Sequence, residues 1–233
     1  MRAPMGSIEI DPDLGDVVVV GNIECRDSLI SGQGTNVIVR GHVKVGRALV
    51  VEGDLDVHGD IQAADRVLVS QAIYATGSLV GNAGVHSSNI VARGSVLSER
   101  GGIVAAHSIR CDGSIYANGD ITCETGSLVA GNDIISITGS VTAFGSIVAL
   151  DGKIQAEHNI QASESILCGA SVSAKGRVHA GLRIMYGRAI SRIPEEGECF
   201  IDASEIVAEG VIVQYDEGVD DSQDNGPSIG MKL

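Results

Sequence analysis

From Val37 onward an aliphatic residue is followed two positions later by a small or aliphatic one, and the couplet recurs every five to seven residues. The series begins Val37/Val39, Val43/Val45, Leu49/Val51, Leu55/Val57 and Ile61/Ala63, and runs through Ile103/Ala105, Ile115/Ala117 and Ile147/Ala149 to Ile184/Tyr186, about 25 units in all. Such a period of two is that of a strand, with both named residues on one side and the residue between them on the other. Each unit is too short for a helix and predicts a strand of two to four residues. Between units lie pairs such as Gly53-Asp54, Gly59-Asp60, Gly77-Ser78, Gly94-Ser95, Gly113-Ser114, Gly139-Ser140 and Asn132-Asp133. These residue types tolerate positive φ and cap their own turns, so the chain is expected to corner after every strand.

Short strands that corner in one sense, without two-residue reversals, do not make hairpins. They coil. Three units span about 18 to 19 residues, one rung of a triangular parallel β-solenoid in which each strand pairs with its equivalent one rung away. The expected fold is all-β, a single-stranded parallel β-helix of about eight rungs, ~38 Å of stack at ~4.8 Å per rung. The crossover preference of parallel strands favours a right-handed coil. Left-handed hexapeptide acyltransferases place the small residue four positions after the aliphatic one; here it comes two after, which disfavours that coil.

The pattern also sets boundaries. Residues 1–16 read as an irregular acidic segment and 17–186 as the β-helix, opening with Val17 to Val20 and Ile23/Cys25. Residues 26–36 break the register and are expected to loop over the open end. Residues 187–215, with Ile201/Ala203, Ile206/Ala208 and Val211/Val213, read as a cap over the other end, where unpaired strand edges need cover. Residues 216–233, rich in Asp, Gly, Ser and Asn, read as a disordered acidic tail.

Composition fits a narrow bore. The 233 residues include 31 Gly but no Trp, 2 Phe and 4 Tyr, and the apolar content is almost wholly Val, Ile, Leu and Ala. A formal charge of −14, concentrated at the two ends, argues against a nucleic-acid partner. No apolar run reaches membrane-spanning length and the first residues carry no h-region, so the reading is a cytoplasmic chain without an integral membrane segment.

The stretch Gly53-Asp54-Leu55-Asp56-Val57-His58-Gly59-Asp60-Ile61-Gln62-Ala63, like Gly113-Ser114-Ile115-Tyr116-Ala117-Asn118-Gly119-Asp120-Ile121, resembles the Gly-Asp-Ile-x-Ala cadence of bactofilins. Those are bacterial polymer-forming cytoskeletal proteins with a compact right-handed β-helix. The resemblance covers residues 37–186 at the level of the repeat. It implies self-assembly through solenoid ends without metal, nucleotide or other cofactor, and peripheral association with a membrane. The chain departs from that pattern in having more rungs and a longer C-terminal flank.

The residue between two inward positions points outward, so residues one rung apart stack on a shared face. One face then carries Val129, Val148, Leu167 and Met185, and an adjoining face Val80, Leu97, Tyr116 and Ile135. Thr122, Thr142, Gln161 and His179 make the third face wetter. The two aliphatic ladders are the candidate interface, for lateral self-association, for packing of the C-terminal segment or for a protein partner. Equally, β-propensity alone places Val, Ile and Tyr on exposed strand positions.

Catalytic and metal chemistry finds little to stand on. Cys25, Cys111, Cys123, Cys168 and Cys199 show no Cys-x-x-Cys spacing, and four of them fall in small inward slots. Cys111 and Cys168 share a face three rungs apart, too far to bridge or share a metal. His86 and His179 face outward five rungs apart, while His42, His58, His107 and His158 fall at or near corners. Corner acids such as Asp54, Asp60 and Asp120 resemble the paired carboxylates of polysaccharide-cleaving enzymes, but turn chemistry explains them and aromatic sugar platforms are missing. Three readings result: a non-enzymatic self-assembling scaffold, a capped β-helix that binds another protein, and a divergent β-helix enzyme of hexapeptide-transferase or polysaccharide-active type.

Overall fold

The computed structural model describes residues 2–3, 6–186, 201–203, 205–208 and 211–214. Its short strands stack into three parallel sheets of 11 strands each, here called A, B and C in the order the chain visits them. Each circuit adds one strand to each sheet, so the molecule is a parallel β-solenoid. We number its layers from the N-terminus. Layer 1 comprises Arg2–Ala3, Ile8–Ile10 and Val17–Val19, and layer 11 comprises Ile201–Asp202, Glu205–Ala208 and Val211–Gln214. Among the described residues the only helix is the turn Pro12–Leu14, whose N-cap Asp11 accepts from the Asp13 amide.

The inward assignment of the couplets is confirmed. Ile103, Ala105, Ile115, Ala117, Ile121, Ile147 and Ala149 are all fully buried, in one continuous core that runs from Ile8 to Ile184. Each strand of this core contributes a large aliphatic residue to the bore and, two positions later, most often a second valine, an alanine or a cysteine. Serine substitutes for alanine in a few small slots when its hydroxyl finds the backbone. Ser136 Oγ donates to the Gly119 carbonyl at 2.9 Å and accepts from the Gly139 amide.

The corners work differently from the sequence reading. Among the described residues only Gly6, Gly15, Gly21, Gly34 and Gly84 have positive φ, and none of them is a quoted Gly-Asp or Gly-Ser corner. Nor do the polar residues there cap their own turns: Asp54, Asp60, Ser78, Ser95, Asp133 and Ser140 each accept the backbone N–H of the equivalent residue one layer further on. Beside sheet A the chain of bonds runs from Asn22 to His42, Asp60, Ser78, Ser95 and Ser114. Beside sheet C it links Asn36, Asp54 and Ala72, then Asn89, Ser108, Ser127 and Ser146. Beside sheet B it passes through Asp120, Ser140, Asn159 and Arg177. Three polar spines therefore climb the corners. The preceding glycine is required because that side chain occupies the space its Cβ would fill: a methyl on Gly113 would lie 2.5 Å from Ser95 Oγ, and one on Gly139 2.5 Å from Asp120 Oδ1.

Three expectations about the ends are corrected. Residues 1–16 are not irregular throughout, since Ile8–Ile10 pairs in register with Leu29–Ser31 and buries both isoleucines. Residues 26–36 do not loop out over an end: Leu29 and Ser31 fill inward slots of sheet B, and Ser31 Oγ accepts from the Glu52 amide. A serine in the small slot disguised the couplet. Residues 201–203, 205–208 and 211–214 do not lie across the bore as a cap. They continue all three sheets in register, Ile201 beside Val172, Ile206 beside Val178 and Ile212 beside Ile184. Residues 187–200 and 216–233 lie outside the described residues.

Candidate interaction faces

Strand pairing places each outward residue directly over its neighbour. On sheet C, Val129 pairs with Val148, Val148 with Leu167 and Leu167 with Met185. On sheet A, Val80 pairs with Leu97, Leu97 with Tyr116 and Tyr116 with Ile135. Both ladders thus have the register read from the sequence, and each member is half-buried because the residues above and below cover its flanks. The sheet A ladder is an island, bounded by Gln62 on one side and Gln155 on the other. Sheet B carries Thr122, Thr142, Gln161 and His179 in sequence, as expected for its wetter half.

The apolar surface extends further than those eight residues. Below Val129 the outward column of sheet C continues as Arg110, Val91, Tyr74, Asp56, Ile38 and Val18. Over layers 1 to 10 it is therefore apolar everywhere except at Asp56 and Arg110. The same outward rule applied to the first couplets would have found this half. Sheet B adds a shorter run, Ile30, Val50 and Leu68. Corner aliphatics and aromatics had no signal in a strand pattern; of these Phe144 is 63% exposed and Leu182 58% exposed.

Charges on the sheet C column are sparse and distinct. The Asp56 carboxylate lies 3.9 Å from His58 Nε2, with both side chains about half exposed. Arg110 is exposed, lies between Val91 and Val129, and has no carboxylate partner among the described residues. At the ends, the strands of layers 1 and 11 pair on one side only among the described residues.

Cys25, Cys111, Cys123 and Cys168 are buried free thiols in the bore, and Cys199 lies outside the described residues. Burial pushes the Cys111 thiol up to about 12, reinforced by the nearby charge of Asp112, and burial likewise pushes Cys123 up to about 12. Such thiols are held protonated and behave as small hydrophobes. The histidines sit at corners or alone on faces: His42 Nδ1 accepts from the Asp60 amide, and His107 Nδ1 lies 2.8 Å from Thr125 Oγ1. Among the described residues, no three His, Cys, Asp or Glu side chains converge as metal ligands would, and no helix is long and apolar enough to cross a membrane.

No family model, curated protein or solved structure matches this chain.

Proposed function

We propose that this chain is a non-enzymatic scaffold, a rigid β-solenoid prism that associates with copies of itself, as its bactofilin-like repeat implies. One observation carries the reading: the outward column of sheet C presents apolar side chains at eight of its first ten layers, in unbroken register. An apolar column of that length, broken only at Asp56 and Arg110, is the kind of surface that serves as a contact. Among the described residues the end layers pair on one side only, and a parallel edge left uncovered is a template for another strand. A second reading, a prism that presents one face to a different protein, draws on the sheet A island, whose apolar stretch stops at Gln62 and Gln155.

Val148→Lys tests the proposal. It sets a charge within the unbroken run from Val129 to Met185 but outside the bore, so the solenoid should keep its circular dichroism while sedimentation velocity shifts toward smaller species. Sedimentation identical to the parent protein would count against sheet C as the contact. Filaments or discrete oligomers in electron micrographs of the parent would support self-assembly, and a monomer at every concentration would overturn it.

A further inference from the structure

Two charges, Asp56 and Arg110, interrupt the sheet C column and restrict how a second copy can lie on it. Counting layers, the column reads Val18, Ile38, Asp56, Tyr74, Val91, Arg110, Val129 and Val148 for layers 1 to 8. Two copies can meet face to face on this column in three simple ways. If their solenoid axes run the same way in equal register, Asp56 faces Asp56 and Arg110 faces Arg110, and like charges oppose one another twice. If one copy slides by three layers, a single Asp56 meets an Arg110, and the remaining Asp56 and Arg110 face apolar residues or solvent. If the axes run oppositely about a two-fold between layers 4 and 5, layer n faces layer 9 − n. Asp56 then meets Arg110 of the second copy, and Arg110 meets its Asp56.

The same operation matches everything else on the column. Val18 faces Val148, Ile38 faces Val129 and Tyr74 faces Val91, so apolar meets apolar at each remaining layer. A two-fold along the strand direction also brings like edges together. At the corner following sheet C, Val20 of layer 1 is 82% exposed and falls opposite Leu150 of layer 8. His58 of layer 3 falls opposite Asp112 of layer 6, Thr76 opposite Arg93 and Arg40 opposite Gly131. At the preceding corner Asp16, Asn36 and Asp54 fall opposite Ser146, Ser127 and Ser108. No like charges meet at either edge.

We infer that sheet C is the interface of an antiparallel two-fold dimer of this chain, registered by reciprocal Asp56–Arg110 ion pairs. The inference rests on the self-association proposed above and specifies its partner, polarity and register. Isologous contacts of this kind are the commonest way for identical chains to associate. Eight layers at ~4.8 Å, on a face ~15 Å wide, bury ~1,100 Å² over both copies, at the lower edge of the range for stable interfaces. The sheet A island, half as long, falls well short of that range. Leu167 and Met185 project past the partner's first layer, so the ends of both prisms stay free.

Charge exchange on the whole 233-residue chain tests the inference. Arg110→Asp sets two aspartates against each other at both symmetric positions, and Asp56→Arg does the same with two arginines. Each should raise the dimer dissociation constant, measured by sedimentation equilibrium, about tenfold per contact and about a hundredfold in all. The double variant Asp56→Arg/Arg110→Asp restores the opposite charges and should restore the parental constant. The equal-register parallel arrangement predicts no such rescue, because its facing residues remain identical. Unchanged circular dichroism establishes that all three variants fold. Oligomers that ignore the single exchanges, or are not rescued by the double, would overturn this interface and leave self-assembly standing. A parent protein that stays monomeric would overturn both.

Discussion

Replacing Gly113 with alanine tests the polar spines. The added methyl would lie 2.5 Å from Ser95 Oγ and 3.0 Å from the carbonyl carbon and oxygen of Gly94. The hydroxyl is the softest of these neighbours, so it rotates away and gives up the hydrogen bond it accepts from the Ser114 amide at 3.1 Å. Losing that bond in a part-buried corner costs ~1 to 1.5 kcal/mol, and easing the tight backbone contact adds ~0.5 kcal/mol or more. Against this, alanine in place of glycine restricts the unfolded chain and recovers ~0.4 to 1 kcal/mol. The expected net loss is about 0.5 to 1.5 kcal/mol, with about 1 to 1.5 kcal/mol for Ser95→Ala, which removes the same bond. The pair is therefore coupled. In the double variant the bond is lost once and the steric conflict with the hydroxyl is gone, so the cost should be close to that of Ser95→Ala alone, not the sum. Urea unfolding followed by circular dichroism reads this directly, as midpoint shifts at constant slope. Additive losses, or a Gly113→Ala variant as stable as the parent, would refute the account of why glycine precedes the spine residue.

Three further outcomes are expected. Ile147→Asp, at a fully buried bore position, strands an unpaired carboxylate and should abolish the cooperative unfolding transition, whereas the neighbouring Val148→Lys should leave it intact; a well-folded Ile147→Asp protein would overturn the inward assignment. Because the folded state holds the Cys111 and Cys123 thiols protonated to about pH 12 against an ordinary value of 9.0, their contribution is complete below about pH 9 and is lost as pH rises from there toward 12. Stability should therefore fall across that window by up to ~4 kcal/mol per thiol, and a Cys111→Ala/Cys123→Ala variant should show a shallower decline in alkaline urea titrations; equal slopes would deny the thiols that role. Glu157→Gln removes the exposed ion pair with Lys175 at 2.7 Å and should shift stability by less than ~1 kcal/mol, and a larger loss would show the corner to be less solvated than it looks.

The register of the core was legible because strand periodicity and side-chain size coincide at each couplet. Ile115/Ala117 and Ile121/Cys123 could face only one way, and counting by threes then stacked Val129 beneath Val148. The spines were not legible. A Ser95 that accepts from Ser114 looks, in one dimension, like any turn serine, since its partner lies a whole circuit away and the glycine it excludes from bearing a side chain lies beside that partner. The end layers were hidden for related reasons: Ser31 replaces the usual small apolar residue, and residues 187–200 separate layer 10 from the Ile201–Asp202 strand that continues sheet A. The apolar ladders were partly visible, but the complementarity of Asp56 and Arg110 appears only after every layer has been counted from the first, and the first layer was the part the pattern obscured.

The spines also make the molecule a ruler. Where a spine runs, each layer offers the next a corner acceptor fitted to a bare glycine backbone, as Asp60, Ser78 and Ser95 do in succession for Gly77, Gly94 and Gly113. One whole circuit, the 18 residues from Val43 to Asp60 for instance, could be duplicated or removed with every remaining strand still stacked on a strand of its own sheet. The prism would lengthen or shorten by ~4.8 Å. A protein built this way tunes its reach by copying a short piece of its own coding sequence, and keeps its cross-section while doing so.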